Sequence, residues 1–349
     1  MKRKNPFNYC ADCRTHGDEA GIALFFVLWV LVLLSVITGE FCRTMRNEVN
    51  ITRSYKDATQ AFYIARAGFN IAVSELIKKP EEKIGKNVFS KVDPVEDPVI
   101  DWRVNTDLPE IEFAQGRFKV QLGNDSGRID INKAGRFLFT ILLNGIDLDD
   151  YEKSVIIDSI FDWRDKDSIQ HANGAEDDYY LSLDNPYPCG NGDFKSIEEL
   201  MLVRGVDEKL FNETLKERIT VSPNERGLIF RGGNFNSENK EAFDYDKINL
   251  NAAPPGVLKA FPLMTDAAVQ AIIDYRQEKD FTSILELASV VPKAVFGGAS
   301  PYLTLKYLPL FTMKSTGMVD GDNVKNEIQA RLRVDSKLEM GYEIIQWLQ

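Results

Sequence analysis

The chain has 349 residues and a formal net charge of −11 at pH 7. This length is sufficient for more than one folded domain. The acidic balance argues against a nucleic-acid partner, because proteins that bind the phosphate backbone normally present a basic face. The two histidines of the sequence are His16 and His171, so a histidine-based catalytic centre is not expected.

An almost unbroken apolar run, residues 21–37, lies near the N-terminus and contains no charged residue. A helix needs about 20 apolar residues to span a bilayer, and residues 20–39 reach that length. Apolar residues then recur at helical spacing as far as the next proline. The sequence therefore predicts one helix over residues 22–79, about 85 Å long at about 1.5 Å per residue. Residues 22–42 are its predicted transmembrane part, and residues 43–79 are amphipathic.

A cleaved secretory signal is the competing interpretation of the same run. Such a signal ends in a small-residue site of the A-x-A kind and is followed by a turn or loop. Here the run ends in Thr38-Gly39-Glu40 and the helical pattern continues beyond it. A retained helix is favoured, and an ordinary secreted protein with a cleaved signal remains the alternative.

The N-terminus resembles a type IV pilin-like precursor, since a polar leader ending in Gly21 precedes the hydrophobic helix. Prepilin peptidase cuts such precursors on the cytoplasmic side, which implies cleavage between Gly21 and Ile22. Most pilins carry a glutamate at the fifth mature position, whereas this sequence has Phe26. Absence of that glutamate and a large size are features of the type II secretion minor pseudopilin GspK family, whose N-terminus is similar. Asp18 and Glu19, close to the cleavage point, depart from that resemblance.

Strand patterns flank a helical block in the rest of the chain. Alternating apolar residues over 110–131, with a turn at 123–127, predict a β-hairpin packed on one face. Three further strand patterns follow the helical block, at 310–314, 328–334 and 342–348. A hairpin turn is predicted at 320–323. The predicted fold class is α+β: a pilin-like long N-terminal helix packed on an antiparallel sheet, which a large inserted helical domain interrupts.

The helical block contains an internal repeat, with copies at about 129–206 and 248–291. Three blocks recur in the same order: Ile129-Asp-Ile-Asn132 with Ile248-Asn-Leu-Asn251, Asp162-Trp-Arg164 with Asp274-Tyr-Arg276, and Phe194-Lys-Ser-Ile197 with Phe281-Thr-Ser-Ile284. Each copy resembles a pair of helix-hairpin-helix units of the SAM-like helical fold. Copy one differs by an insertion between Arg164 and Phe194.

The resemblance to helix-hairpin-helix units also suggests a DNA-binding alternative. Gly145 and Gly205 of copy one occupy the hairpin position, where DNA-binding units use backbone N–H groups to hold phosphate. The corresponding segments of copy two, Leu263-Met-Thr and Val290-Val-Pro, lack the glycine. Acidic residues follow both hairpins of copy one and repel phosphate. A structural helical module is therefore favoured over a membrane-anchored periplasmic DNA receptor, and nucleic-acid binding is not expected.

The insertion in copy one concentrates acidic and amide side chains. Oxygen ligands packed so densely repel one another unless a cation neutralises them, and Ca²⁺ takes six to eight oxygens. The spacing excludes an EF-hand, because Ile169 and Gln170 occupy loop positions 5 and 6 when Asp165 is position 1. The sequence predicts a calcium loop of another geometry, which the GspK resemblance also implies. Its expected ligands are Asp165, Asp167, Glu176 and Asp177, with Asp162 and Asn191 as lesser candidates.

Two other interpretations of these carboxylates remain. One is a solvated acidic loop that binds no ion. The other is acid–base catalysis, which is disfavoured because no nucleophile or phosphate loop accompanies the carboxylates. We therefore expect a protein that is not an enzyme.

The family resemblance implies an organisation for the whole chain. The expected segments are a prepilin leader at 1–21, the membrane part of one helix at 22–42, its periplasmic part at 43–79, pilin-like strands at 80–132, an inserted α-domain at 133–305 and returning strands at 306–349. The implied location is the inner membrane, with a single pass, a cytoplasmic N-terminus and the main body in the periplasm.

The same resemblance implies a function and partners. A minor pseudopilin of the type II secretion system that caps the tip of the pseudopilus, and so supports protein export across the outer membrane, is expected. The bulk of the inserted domain agrees with this role, because it would obstruct a further subunit above it. The implied partners are the minor pseudopilins I and J, the inner-membrane platform of the secretion system and prepilin peptidase.

Overall fold

The computed structural model describes residues 18–78, 100–222, 243–320, 324–335 and 338–348. The chain divides into two compact units, Met1–Thr59 and Gln60–Gln349. The predicted leader before residue 18 and most of the connection at 79–99 lie outside the described residues.

The first helix, α1, covers Asp18–Ile77 and confirms the prediction of one long N-terminal helix. Its portion Ile22–Ile77 is long and apolar enough to cross a membrane. No residue of its most apolar stretch is buried in the structure. The hydroxyls of Ser35 and Thr38 donate to the carbonyls of Leu31 and Leu34, each at 2.8 Å. These polar groups are thus satisfied within the helix, as a lipid environment requires.

Most of the remaining elements outside the sheet are short, and the longest are two helices of 15 and 13 residues. The strands are β1 (Ile111–Phe113), β2 (Gly116–Asn124), β3 (Ile129–Asp130), β4 (Ile219–Thr220), β5 (Ile248–Asn249), β6 (Leu303–Thr304), β7 (Leu310–Val319), β8 (Lys325–Val334) and β9 (Tyr342–Leu348). The further α-helices are α2 (Arg136–Leu142), α3 (Asp150–Arg164), α4 (Asp177–Tyr180), α5 (Glu208–Leu210), α6 (Lys216–Arg218), α7 (Pro255–Ala260), α8 (Asp266–Glu278), α9 (Leu287–Val290) and α10 (Lys293–Ala299).

A five-stranded antiparallel sheet, in the order β1-β2-β7-β8-β9, packs on the part of α1 that follows Thr59. Alternate apolar side chains on β2 and β7 enter a core with the helix, among them Phe118, Phe311 and Met313. Glycines on both surfaces permit the close approach of α1 to the sheet. A Cβ added at Gly68 would lie 2.5 Å from the ring of Phe118, and one at Gly317 would overlap the backbone of Ala61 and Ala65.

The three returning strands are confirmed as β7, β8 and β9, and β7 and β8 are longer than predicted, with 10 residues each. The predicted turn at 320–323 lies largely outside the described residues. Trp347 of β9 packs against Phe69 of α1, with ring centroids 5.5 Å apart.

The predicted hairpin over 110–131 is wrong in its second half. The tight turn joins β1 to β2 at Ala114, whose φ is 55°. At 125–127 the chain forms a 3-10 turn instead, capped by the side chain of Asn124. The following strand β3 pairs in parallel with β4 rather than with β2. The reason is that Ile129 and Ile131 lie in the core of the helical body, so alternation alone did not identify which core they face. The helical body thus begins at about residue 125.

The two copies of the repeat share one element order. Each begins with a short strand that pairs in parallel with a strand just after the predicted end of the copy, β3 with β4 and β5 with β6. In copy one the Asn132 amide donates to the Phe194 carbonyl at 2.9 Å and its oxygen accepts from the Phe194 N–H at 2.8 Å. Asn251 and Phe281 exchange the same pair of hydrogen bonds in copy two, at 3.0 and 2.9 Å.

An arginine stabilises each copy in the same way. Arg164 donates to the carbonyls of Ile131 and Ala134 at 2.8 and 3.0 Å. Arg276 of copy two donates to the carbonyls of Leu250 and Ala253. The recurring sequence blocks therefore carry the same internal contacts in both halves of the helical body.

Substitution of Gly317 by alanine should lower the free energy of unfolding by about 2 kcal/mol, because its Cβ would overlap helix backbone that cannot move independently. Gly123→Ala is the matched control on β2, since its nearest neighbour would be Thr312 at 3.7 Å. The control should stay within about 0.5 kcal/mol of the wild type. Urea unfolding of the full chain in detergent, followed by tryptophan fluorescence, measures both. Equal effects of the two substitutions would contradict the close helix–sheet contact.

Candidate metal centre in the helical body

The candidate centre lies in the insertion of copy one, between the end of α3 and the start of α4. Asp162 is in the last turn of α3 and Asp165 is its C-cap. Glu176 is the N-cap of α4 and Asp177 is its first residue. The two helix ends therefore bring acidic side chains toward one another across the loop that contains Asp167.

Hydrogen bonds hold this loop on the helical body. On α3, Asp158 accepts from the backbone N–H of Asn173 at 3.0 Å. The guanidinium of Arg204 donates to the Gly174 carbonyl at 3.0 Å and lies 4.7 Å from the ring centroid of Tyr179. The loop is thus fixed on two sides, by α3 and by the hairpin that contains Arg204.

Three of the four main predicted ligands meet. Asp165, Asp167 and Glu176 each offer a carboxylate oxygen, and these oxygens lie within 4.8 Å of one another. A second group joins through Asp165: one ligand atom each of Asp162, Asp165 and His171 also lies within 4.8 Å of the others. The centre therefore has a carboxylate side and a side that contains a ring nitrogen.

Asp177 and Asn191 occupy different environments. Asp177 is outside both groups, and its Oδ1 accepts from the backbone N–H of Cys189 at 2.7 Å. Asn191 has a φ of 44°, and its side-chain oxygen is buried without a hydrogen-bond partner.

The electrostatics of the carboxylate side favour a cation. Glu176 is only 6% exposed, and neither of its carboxylate oxygens has a hydrogen-bond partner. Burial, followed by the charges of Asp162 and Asp165, raises the pKa of the Glu176 carboxyl. Burial and the neighbouring Asp167 raise the pKa of Asp165. Buried carboxylates without partners are unfavourable, and a bound cation is one way to compensate them.

The donor set of this side fits calcium. Its ligand atoms are carboxylate oxygens, which hard divalent cations prefer, and the buried oxygen of Asn191 is of a type that Ca²⁺ also accepts. Sequence reasoning missed His171, Asp158 and Arg204. Nothing in their local spacing indicates these roles, because each contacts a segment that the fold brings to it.

The hairpin glycines of copy one adopt the left-handed conformation, with φ of 74° at Gly145 and 88° at Gly205. The acids that follow them cap the next helices. Asp149 accepts from the N–H of Glu152 at 2.7 Å, and Asp207 accepts from that of Leu210 at 2.6 Å. Carboxylates thus already bind the helix N-termini that would face phosphate in a DNA-binding hairpin, so the geometry does not favour the DNA alternative.

Comparison with known proteins gives consistent matches. A family model described as type II secretion system (T2SS), protein K, matches residues 117–224. The type II secretion system protein K of Aeromonas hydrophila is 28% identical over 258 residues, covering 69% of this chain and 75% of that protein. The protein of the same name from Pectobacterium carotovorum subsp. carotovorum is 36% identical over 78 residues, covering 22% and 24%.

A solved structure shows the same fold. It is the GspK-GspI-GspJ complex from the type 2 secretion system of enterotoxigenic Escherichia coli. The matched chain has a TM-score of 0.53 and 16% sequence identity, with coverage of 85% of this chain and 99% of that one.

The long apolar helix and the antiparallel sheet together define a pilin-like subunit, and the inserted helical body makes it unusually large. With the matches above, the chain belongs to the type II secretion system protein K family. It is a minor pseudopilin of that secretion system.

Substitution of Gly174 by alanine should disrupt the centre, because its Cβ would overlap the carboxylate of Asp162. We expect a loss of about 2 kcal/mol in the free energy of unfolding. Gly192→Ala in the same insertion is the control, since its nearest neighbour would be the Gly190 carbonyl at 3.8 Å. Thermal unfolding followed by circular dichroism measures both variants. A Gly174→Ala protein as stable as the control would show that the loop does not hold Asp162 in this way.

Proposed function

We propose that this chain caps the tip of a periplasmic pseudopilus and thereby supports protein export across the outer membrane. The observation that carries the proposal is the position of the helical body at one end of the sheet. It is inserted between β2 and β7, which are neighbours in the sheet.

The helical body lies toward the end of the sheet that is near the C-terminal end of α1. Gly317, at the far end of β7, approaches Ala61 and Ala65 early in this part of α1. The opposite strand ends join the body, where the Asn124 amide donates to the Leu308 carbonyl at 2.8 Å. A further subunit added at that end would meet the described helical body at 125–222 and 243–309, which obstructs the head-to-tail contact that a filament repeats.

Two sets of contacts fix the body on the sheet. Arg331 of β8 forms an ion pair with the buried Asp125 and donates to the Val221 carbonyl at 2.7 Å. Arg103 donates to the carbonyls of Arg276 and Gln277 at 2.6 and 3.0 Å. The body therefore cannot swing aside without breaking buried charge-assisted hydrogen bonds, which supports a fixed cap.

The membrane part of the proposal rests on α1. Its exposed apolar side chains would be unfavourable in water and require lipid or other helices around them. We assign it to the inner membrane as a single pass with the N-terminus in the cytoplasm, after cleavage by prepilin peptidase at Gly21. The proposed partners at the tip are the minor pseudopilins I and J, as in the matched complex, together with the inner-membrane platform.

A cap should occur once per filament, whatever the filament length. In pseudopili sheared from cells and fractionated by length, the ratio of this chain to the major subunit should fall in inverse proportion to length, because only one end accepts a cap. Quantitative mass spectrometry of each fraction measures the ratio, with the major subunit as internal standard. A constant ratio across fractions would place the chain along the shaft and contradict the proposal.

We also propose that the carboxylate side of the centre binds calcium. Asp165, Asp167 and Glu176 would hold the ion, with oxygen from Asn191, Asp162 or Asp177 completing the shell. The ion would neutralise the carboxylate of Glu176, which is buried without a hydrogen-bond partner, and so stabilise the insertion. The role is structural, consistent with a protein that carries out no reaction.

Calcium should raise the unfolding midpoint of the full chain by about 5 °C or more over that in EDTA, because a ligand bound only to the folded state stabilises it. Glu176→Gln keeps the size of the side chain and should lose most of this shift. In EDTA this variant should be at least as stable as the wild type, since it replaces a buried unpartnered carboxylate.

Asp178→Asn is the matched control, because Asp178 is exposed on α4 and belongs to neither ligand group. It removes the same charge and should keep the full calcium shift. No shift in the wild type, or equal shifts in both variants, would overturn the calcium proposal.

A further inference from the structure

Copy one exposes a patch of apolar side chains outside the candidate metal centre. Its members are Leu181, which directly follows α4, and Met201 and Leu202, at the end of a 3-10 helix over Ile197–Leu202. Their exposed fractions are 55%, 39% and 43%. Large apolar side chains that are scattered singly on a surface need no explanation, whereas a contiguous group of them is typical of an interaction site.

Two tyrosines bring the segments of this patch together. The hydroxyl of Tyr187 donates to the Leu202 carbonyl at 2.8 Å. The ring centroids of Tyr187 and Tyr180 lie 5.5 Å apart, and the Tyr180 hydroxyl accepts from the N–H of Arg204 at 3.3 Å. Because Leu181 is the residue after Tyr180, the end of α4 and the end of the 3-10 helix form one surface.

The second copy of the repeat shows that the fold does not require apolar residues here. At the position of Met201 the second copy has Ala288. At the position of Leu202 it has Ser289. Both of these residues are exposed, as their counterparts are, and the leucine that precedes each pair is fully buried. The two segments therefore lie in the same register, and the apolar pair of copy one serves a purpose other than folding.

Two carboxylates accompany the patch. Side chains at positions i and i+3 of a 3-10 helix eclipse, so Glu198 lies beside Met201 and Glu199 lies beside Leu202. Within the described part of the chain, neither carboxylate forms an ion pair or a hydrogen bond. The patch is therefore bordered by negative charge that the protein itself does not neutralise.

The corresponding acid of copy two has an internal role. Glu286 accepts from the hydroxyls of Tyr275 and Thr282 at 2.9 and 2.5 Å. Copy one has a tryptophan and a lysine at those two positions, and neither has a hydroxyl. Glu199 is therefore without the internal contacts of its counterpart, and its charge is available to a partner.

We propose that this patch docks a segment of a partner protein that presents apolar side chains flanked by lysine or arginine. The apolar side chains of the segment pack on Leu181, Met201 and Leu202, which removes apolar surface from water. Its cationic side chains pair with Glu198 and Glu199, which fixes its position and raises its rate of encounter. The surface lies outside the metal centre, so the inference does not depend on an ion there.

The sign of the charge disfavours other occupants. A second copy of this chain would bring the same acids to the contact, and the chain as a whole carries a net charge of −11. The phosphates of nucleic acids and of anionic lipids would be repelled for the same reason. A basic and apolar protein segment is the occupant that both the patch and its border favour.

The test uses the full chain in a nonionic detergent, with labelled synthetic peptides of equal length as probes. One peptide combines leucine with lysine, the second leucine with glutamate and the third serine with lysine. Fluorescence anisotropy should show binding of the leucine–lysine peptide, which weakens as salt is raised because exposed charges are screened. Absence of this binding, or equal binding of either of the other peptides, would overturn the inference.

The double variant Met201→Ala/Leu202→Ser introduces the residues of copy two at these positions. It should weaken binding of the leucine–lysine peptide tenfold or more, because apolar anchors carry most of the energy of such contacts. Leu263→Gly is the matched control, since Leu263 is an equally exposed leucine with a φ of 63°, where copy one has glycine. The control should bind as the wild type does. Equal binding by the double variant and the control would contradict docking at the patch.

The variant Glu198→Gln/Glu199→Gln tests the charged border and keeps the size of both side chains. It should weaken binding and remove most of its dependence on salt. Asp147→Asn/Asp150→Asn removes the same charge from exposed positions elsewhere in copy one and should leave both unchanged. A glutamine variant that binds like this control would overturn the role of the carboxylates.

Sedimentation velocity tests the competing occupant, a second copy. The full chain should sediment at the same rate with and without the Met201→Ala/Leu202→Ser substitutions. A dimer that these substitutions dissociate would assign the patch to contact between copies and overturn the inference.

Discussion

The ion pair between Arg331 and the buried Asp125 is the interaction on which the connection between the sheet and the helical body depends. Asp125 is 2% exposed and Arg331 is 14% exposed at the side chain. The same guanidinium donates to the Thr220 hydroxyl at 3.0 Å and to the Val221 carbonyl at 2.7 Å. One side chain of β8 thus holds both the entry into the helical body and the end of its first copy. Removal of one partner of such a pair typically costs about 3–5 kcal/mol, because the other is left buried and charged.

The two copies of the repeat differ in the contacts and sites that they carry. Both copies contact the pilin-like part. In copy two the Ala252 carbonyl accepts from the Asn105 amide at 2.6 Å, and Arg103 forms hydrogen bonds to the end of α8. Copy one carries the insertion and the candidate metal centre. The internal hydrogen bonds of Asn132 and Asn251 are the same in both, so a common scaffold supports two different surfaces. This arrangement adds a large helical body to the subunit without loss of the pilin-like sheet.

Much of the fold could be predicted from the sequence, because its signals are local. The apolar run and its continuation predict α1, and the paired motifs at Asn132 and Asn251 predict the repeat. The pairing of β3 could not be predicted in this way. Alternation shows that Ile129 and Ile131 are buried on one side, but it does not show whether the sheet or the helical body covers them.

The candidate centre was predictable in part for the same reason. The density of acidic residues in the insertion indicates a cation, and Asp165, Asp167 and Glu176 meet as the pattern suggests. The engagement of Asp177 with Cys189 and the approach of His171 to Asp162 depend on how the loop folds back on α3. The central claim, a processed assembly helix that remains on the mature protein, is tested most directly by N-terminal sequencing of the protein isolated from membranes. The account predicts a first residue of Ile22, and a start beyond residue 39 would contradict it.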